Sequence, residues 1–261
     1  MGPRLGALAG VLLFTVGCGS PARRGARGSY AQMDSASAAC RRNPAYCATG
    51  AGEETVVPLQ VRAAQVGAAG KAWAELEESE RKSIEDLLVQ CARWAEAEVN
   101  RKEFGGRPPT REECEKQVGG SRENPITRGM TLGTTKHALA LQCTQEKLGK
   151  AHPGRFSLEQ RYRTHPETRR LERIQHETEL KMLRNGGREL VSSVVPDVVI
   201  HTGNPLQPQR VYDFKFPCPD SNKPQWRNYP RGNPLQAQHQ GEAYQTVLNA
   251  PPFRVTPRGV L

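Results

Sequence analysis

No Cys-x-x-Cys pair occurs in this chain, although it carries seven cysteines, and that removes the usual ligand spacing of a zinc ribbon or finger. No glycine-rich phosphate loop is present either, so P-loop or dinucleotide binding has no motif to rest on. Aromatic residues make up only 6% of the chain. No recognition helix and no aromatic RNA-binding signature stands out, which argues against sequence-specific reading as the main task. Long apolar runs are also missing, since the one at residues 5–16 is too short to span a bilayer.

That short run is informative in another way. Arg4, the apolar stretch and the small residues before Cys18 form the pattern of a cleaved export signal over residues 1–17. Thr15-Val16-Gly17-Cys18 resembles a bacterial lipobox, with Thr where Leu is commoner. The resemblance implies a lipidated Cys18 anchored in a membrane; Gly19 after it is not the Asp that would retain the protein at the inner membrane. An outer-membrane lipoprotein or a secreted protein is the expected product. Residues 18–58, rich in Arg, Ala, Gly and Ser, bury too little to fold and read as a disordered tether. With Cys18 set aside, an even number of cysteines remains in an exported chain. Disulfides are expected, with about fifteen connectivities open.

The formal net charge is +10. Such a surface favours an anionic partner, and nucleic acid or an anionic membrane both qualify. Residues 59–130 read as a helical region. Within it, Trp73, Leu76, Ile84, Leu87, Leu88, Cys91, Trp94 and Val99 recur at helical steps over 70–104, as a hairpin or one long helix with the tryptophans as core. Thr110 opens a short helix that runs to 118, and 119–133 reads as a loop.

Residues 131–261 hold the densest signals. The helix expected over 134–150 has Thr134 as its N-cap, and 155–163 alternates as a strand. Residues 164–183 read as a charged helical insertion ended by Asn185-Gly186-Gly187. Between 194 and 217, two runs rich in β-branched and aromatic residues flank Gly203, Asn204 and Pro205, the pattern of two joined strands. In the second, Val211, Asp213 and Lys215 share one face, and Tyr212, Phe214 and Phe216 share the other, core-facing one. If the strands pair, Asp197 lies beside Asp213 and Lys215. Two carboxylates can hold a hard divalent cation, and an ammonium can orient or deprotonate a water.

Pro196-Asp197, fifteen intervening residues, and Asp213-Phe214-Lys215 resemble the PD-(D/E)xK motif of the restriction-endonuclease-like nuclease superfamily. The resemblance implies an α/β (α+β) fold with an α-β-β-β-α-β core behind the N-terminal helical region. It implies Asp197, Asp213 and the Phe214 carbonyl as ligands of Mg²⁺ or Mn²⁺, and Lys215 as the water-activating group. Gln240 and Tyr244, four apart on a helix expected over 234–249, resemble the Gln-x-x-x-Tyr helix of exonuclease-like branches, placed near the active site and nucleic acid. Residues 253–261 are expected to supply the last strand. Where the family carries an acid on its first helix this chain has His137, with Glu146 and Glu177 as rivals for the third metal-site position. The expected function is metal-dependent hydrolysis of nucleic acid by an exported nuclease, as a toxin or effector with a possible cognate inhibitor. The alternative is a non-catalytic envelope lipoprotein that uses the nuclease-like fold as an interaction module.

Overall fold

The computed structural model describes residues 76–122 and 124–261. The signal, Cys18, the tether, Cys40 and Cys47 lie outside the described residues. Helix α1 (Glu78–Phe104) is one long helix and not a hairpin. Ile84, Leu88, Cys91, Ala92, Ala95 and Val99 form its buried stripe, whereas Trp94, expected in the core, is 46% exposed and Trp73 lies outside the described residues; Glu78 and Glu80 stand in the first turn and Arg101 and Lys102 in the last, as the helix dipole favours. Gly105, at φ 64°, closes it and returns its N–H to the Asn100 carbonyl. Helix α2 (Arg111–Glu115) opens with a capping box between Thr110 and Glu113, as the Thr and early acids predict.

The loop expected over 119–133 is instead an antiparallel hairpin, β1 (Gln117–Gly120) and β2 (Pro125–Thr127), followed directly by α3 (Arg128–Ala151). The hairpin is largely exposed and lacks apolar alternation, so periodicity gives no sign of it. The cap of α3 is Thr127, whose hydroxyl accepts from Met130 N at 3.3 Å. Thr134 is buried within the helix, its hydroxyl donating to the Met130 carbonyl at 3.0 Å, so it does not cap.

Residues 155–163 form two strands, not one. β3 (Phe156–Leu158) and β4 (Arg161–Thr164) belong to different sheets, and the chain turns between them at Glu159, which adopts φ 42°. The region read as a helix over 164–183 splits too. β5 (Leu171–Ile174) pairs with β4, and only α4 (His176–Arg184) is helical. His165 Nδ1 accepts from the N–H groups of Glu167 and Thr168, and this turn chemistry folds the charged segment back. A short 3₁₀ turn (Arg188–Leu190) leads to β6 (Ser193–Val194), β7 (Val198–His201) and β8 (Pro208–Phe214).

Helix α5 (Gln240–Leu248) starts later than the pattern suggests. The Asn233 side chain accepts from Leu235 N and Ala237 N, and Gln236 has φ 53°, so 234–239 is a turn. The chain ends in β9 (Pro252–Thr256) and β10 (Gly259–Val260), two strands where one was expected.

The fold is thus mixed α and β. The main sheet has the order β10-β9-β8-β7-β3; β8 and β9 are parallel through the α5 crossover, and the other pairs are antiparallel. A smaller sheet has the order β5-β4-β6. One face of the main sheet, with Phe156, Val198, Ile200, Tyr212, Phe214 and Val255, packs on α1 and α3, so α1 shares the core of the sheet. The other face, with Val199 and Val211, packs on α5 and on Tyr162 and Val194 of the small sheet. Both faces are covered. Cys91–Cys143 joins α1 to α3, and Cys114–Cys218 joins α2 to the segment after β8. These two disulfides point to an oxidising, extracytoplasmic environment. Among the described residues, no helix is long and apolar enough to cross a membrane.

His201, buried at the end of β7, makes stability depend on pH. Its Nδ1 accepts from Gly203 N and its Nε2 lies 3.2 Å from Ser157 Oγ, an arrangement for the neutral ring. Burial, with the charges of Arg155 and Arg173, pushes its pKa down to about 4. The unfolded chain takes up that proton near pH 6.5 and the folded one does not. Stability from this group is therefore complete above about pH 6.5 and declines toward pH 4, by up to about 3 kcal/mol. In urea titrations at pH 7.5 and 4.5, His201→Asn, which keeps an acceptor for Gly203, is expected to lose less between the two pH values than the native chain. An equal loss in both would refute this.

Candidate active site

Strand register assembles the site. β7 and β8 are antiparallel with Val198 opposite Tyr212, so Asp197, just before β7, falls beside the end of β8 that carries Asp213. On the far side of β7, Leu158 is opposite Val198, and Glu159 N–H donates to the Asp197 carbonyl at 2.9 Å. Helix α3 brings His137 from above, and α5 places Gln240 and Tyr244 on the opposite side.

Two hydrogen-bonded groups meet there. In the first, His137 Nε2 lies 2.7 Å from Asp197 Oδ2, which also accepts from Phe214 N at 2.7 Å. The His137 ring meets Phe214 edge-on at 6.3 Å. In the second, Lys215 Nζ lies 2.5 Å from Asp213 Oδ2 and donates to Gln240 Oε1 at 2.8 Å. Gln240 Nε2 donates to the Tyr244 hydroxyl at 2.8 Å and to Asp213 Oδ1 at 3.1 Å. The Tyr244 hydroxyl donates to Asp213 Oδ1 at 2.8 Å and stands 3.3 Å from the Val195 carbonyl. Asp213 has 2% exposure and Asp197 none, so water does little to separate their charges.

The electrostatics follow from that burial. Desolvation, then the nearby Asp213 carboxylate, push the Asp197 pKa up, against the pull of His137 and Lys215. Burial by itself would lower the His137 pKa, but Asp197, with Glu159 and Asp213 behind it, raises it above the ordinary value. Both shifts describe a proton held between His137 and Asp197.

Six of the side chains singled out in the sequence, those of His137, Asp197, Asp213, Lys215, Gln240 and Tyr244, thus come together, and Phe214 contributes its backbone. Glu146 and Glu177, the rivals of His137 for the third metal-site position, do not. Both are exposed. Glu146 lies nine residues beyond His137 on the same helix, about 13 Å along the axis, and Glu177 sits on the first turn of α4, where the buried acid is Glu179, paired with Arg161 at 3.0 Å. The acid that stands near enough to act on His137 is Glu159, 2% exposed and not among the sequence candidates. Its only sequence mark is an acid directly after Phe156-Ser157-Leu158, in which apolar residues alternate with a serine.

Among the described residues, no three of His, Cys, Asp and Glu form a ready-made metal cage. The donor chemistry nonetheless fits a hard cation. Asp197 Oδ1 is buried with no hydrogen-bond partner, and two buried carboxylates share their space with one ammonium. The groups able to hold such an ion are the carboxylates of Asp197 and Asp213, the Phe214 carbonyl and the His137 imidazole. Comparisons with protein-family models, curated proteins and solved structures find no match to this chain.

Proposed function

We propose that this chain is a metal-dependent nuclease that hydrolyses phosphodiester bonds in nucleic acid and acts outside the cytoplasm of the cell that makes it. The observation that carries the reading is the convergence of Asp197, Asp213 and Lys215 from two paired strands, with Gln240 and Tyr244 bonded to the same groups. The order α3-β3-β7-β8-α5-β9 supports it, because it is the α-β-β-β-α-β order of the restriction-endonuclease-like core, with β4, β5, α4 and β6 inserted after its first strand.

A bound Mg²⁺ or Mn²⁺ would polarise the scissile phosphate and lower the pKa of a water. The residues divide the remaining work. Asp197 and Asp213 would hold the ion with the Phe214 carbonyl, and the His137 imidazole stands 2.7 Å from Asp197. Lys215 orients or deprotonates the attacking water and offsets the charge that builds on the phosphate. Gln240 keeps the Lys215 ammonium in place, and Tyr244 fixes the Asp213 carboxylate. The basic surface draws the polyanion in without reading its sequence. Export through the 1–17 signal, a lipid on Cys18 and a cognate inhibitor belong to the same reading, as a toxin or effector of the cell envelope.

The test is cleavage of single- and double-stranded DNA and RNA by the purified, oxidised protein with Mg²⁺, with Mn²⁺ and with chelator. Divalent-dependent cleavage of at least one substrate is expected. A folded protein inactive on all of them would overturn the nuclease reading and favour the interaction module.

A further inference from the structure

The geometry points to Trp226 as a positioning residue for Lys215, an inference that rests on the nuclease reading above. Residues 215–239 join β8 to α5 with only an isolated bridge, Asn228 to His239, for regular structure. This strap is nevertheless fastened on both sides of Trp226. Before it, Cys218 is bonded to Cys114, Arg258 Nη2 donates to the Asn222 carbonyl at 3.2 Å and Arg254 Nη1 to the Pro224 carbonyl at 2.7 Å. After it, the Arg227 carbonyl accepts from Gln240 N at 2.8 Å, and Tyr229 N donates to the Gln238 carbonyl at 2.8 Å.

The half-buried indole that results stands where Lys215 and α5 meet. Lys215 Nζ is 5.3 Å from the ring centroid and Arg254 Cζ 5.7 Å, within the range at which a cation is drawn to the ring face. The ring meets Tyr244 edge-on at 6.0 Å. It also lies against Gly241, where an added Cβ would stand 2.6 Å from Trp226 Cε2 and 2.7 Å from Nε1. A side chain at position 241 would therefore displace the indole. Gly241 follows Gln240, the residue that accepts from Lys215. Lys215 is a flexible four-carbon chain with 19% of its side chain exposed, and its head is confined by three neighbours: Asp213, Gln240 and the Trp226 ring. If the Asp213 contact is given up during the reaction, Gln240 and Trp226 remain to hold the ammonium at the water.

Three substitutions separate positioning from mere structure. Trp226→Leu keeps apolar bulk but no π face, Trp226→Phe keeps a face, and Gly241→Ala keeps the indole while pushing it aside and favouring the helix. The expected result is a kcat about tenfold lower in Trp226→Leu and in Gly241→Ala, KM within about twofold, and recovery to within about threefold in Trp226→Phe. A second readout needs no activity. The ¹³Cε signal of Lys215, assigned by its loss in Lys215→Met, should report a restricted side chain in the native protein and in Trp226→Phe, and a mobile one in Trp226→Leu. A kcat unchanged in both Trp226→Leu and Gly241→Ala, a Phe variant as impaired as the Leu variant, or a Lys215 equally restricted in all forms would overturn the proposal. Native protein that cleaves nothing while Lys215 follows the restricted-to-mobile pattern would refute the nuclease reading and leave the positioning intact.

Discussion

Asp213→Asn and Lys215→Met are each expected to lower divalent-dependent cleavage by about a hundredfold or more, the scale of a missing acid-base or charge-stabilising group. The structure says why near-isosteric changes suffice. Asp213 is an acceptor on every side, with Oδ1 taking hydrogens from the Tyr244 hydroxyl and Gln240 and Oδ2 facing Lys215. An amide turned to keep its oxygen toward Tyr244 would aim its NH₂ at the ammonium, so Lys215 loses its partner and a cation loses a charged ligand. Lys215→Met keeps the stem and removes the head, leaving two buried carboxylates with less compensation. Neither change should prevent folding, and the metal-free Asp213→Asn protein is expected to be as stable as the native one or slightly more so, because it no longer buries two carboxylates side by side. Val211→Ala is the control. Val211 is fully buried in the cluster around α5, so its truncation should cost about 2 kcal/mol while the folded protein keeps its activity. Cleavage rates across Mg²⁺ and Mn²⁺ concentrations, on protein shown to be folded by circular dichroism, decide the matter. Full activity in both Asp213→Asn and Lys215→Met would end the nuclease assignment.

The largest expected loss of stability comes from the disulfides. Cys91–Cys143 and Cys114–Cys218 close stretches with separations of 52 and 104 residues. Chain-entropy estimates for loops of this size are about 4 to 5 kcal/mol, and measured values usually fall at about 2–4. Replacing either pair by serine is expected to lower unfolding free energy by about 2–4 kcal/mol in urea titrations. The two bonds should also differ in accessibility. Both Cys91 and Cys143 are buried between α1 and α3, whereas Cys218 is partly exposed on the strap. Under mild reductant, Cys114–Cys218 should open first and Cys91–Cys143 only with unfolding. No reactive thiol from these four cysteines should be found before reduction. Four free thiols in protein purified from the cell envelope would remove the basis for placing this chain in an oxidising compartment.

Several elements were legible without coordinates because their causes are local. The stripe of α1, the capping box at Thr110, the two strands around Gly203 and the glycine stop after α4 each depend on residues within a turn or two. The errors also have local causes. Residues 164–183 carry charges that suit an exposed helix and an exposed hairpin equally, and the choice fell to His165 capping its own turn and to β4 offering a paired edge. The helix expected from 234 begins at 240, because Asn233 binds the backbone ahead of it.

By itself the sequence determined which chemistry is present and which residues alternate onto one face. It placed Asp213 and Lys215 together through the two-residue period of a strand, and Gln240 and Tyr244 together through the turn of a helix. Tertiary structure decided what those pairs meet. The β7–β8 register set Asp197 against Asp213, the passage of β3 beside β7 brought Glu159 in, and the covering of both sheet faces buried the carboxylates. Contacts across long sequence separations are set by register and packing, which no window of neighbouring residues contains.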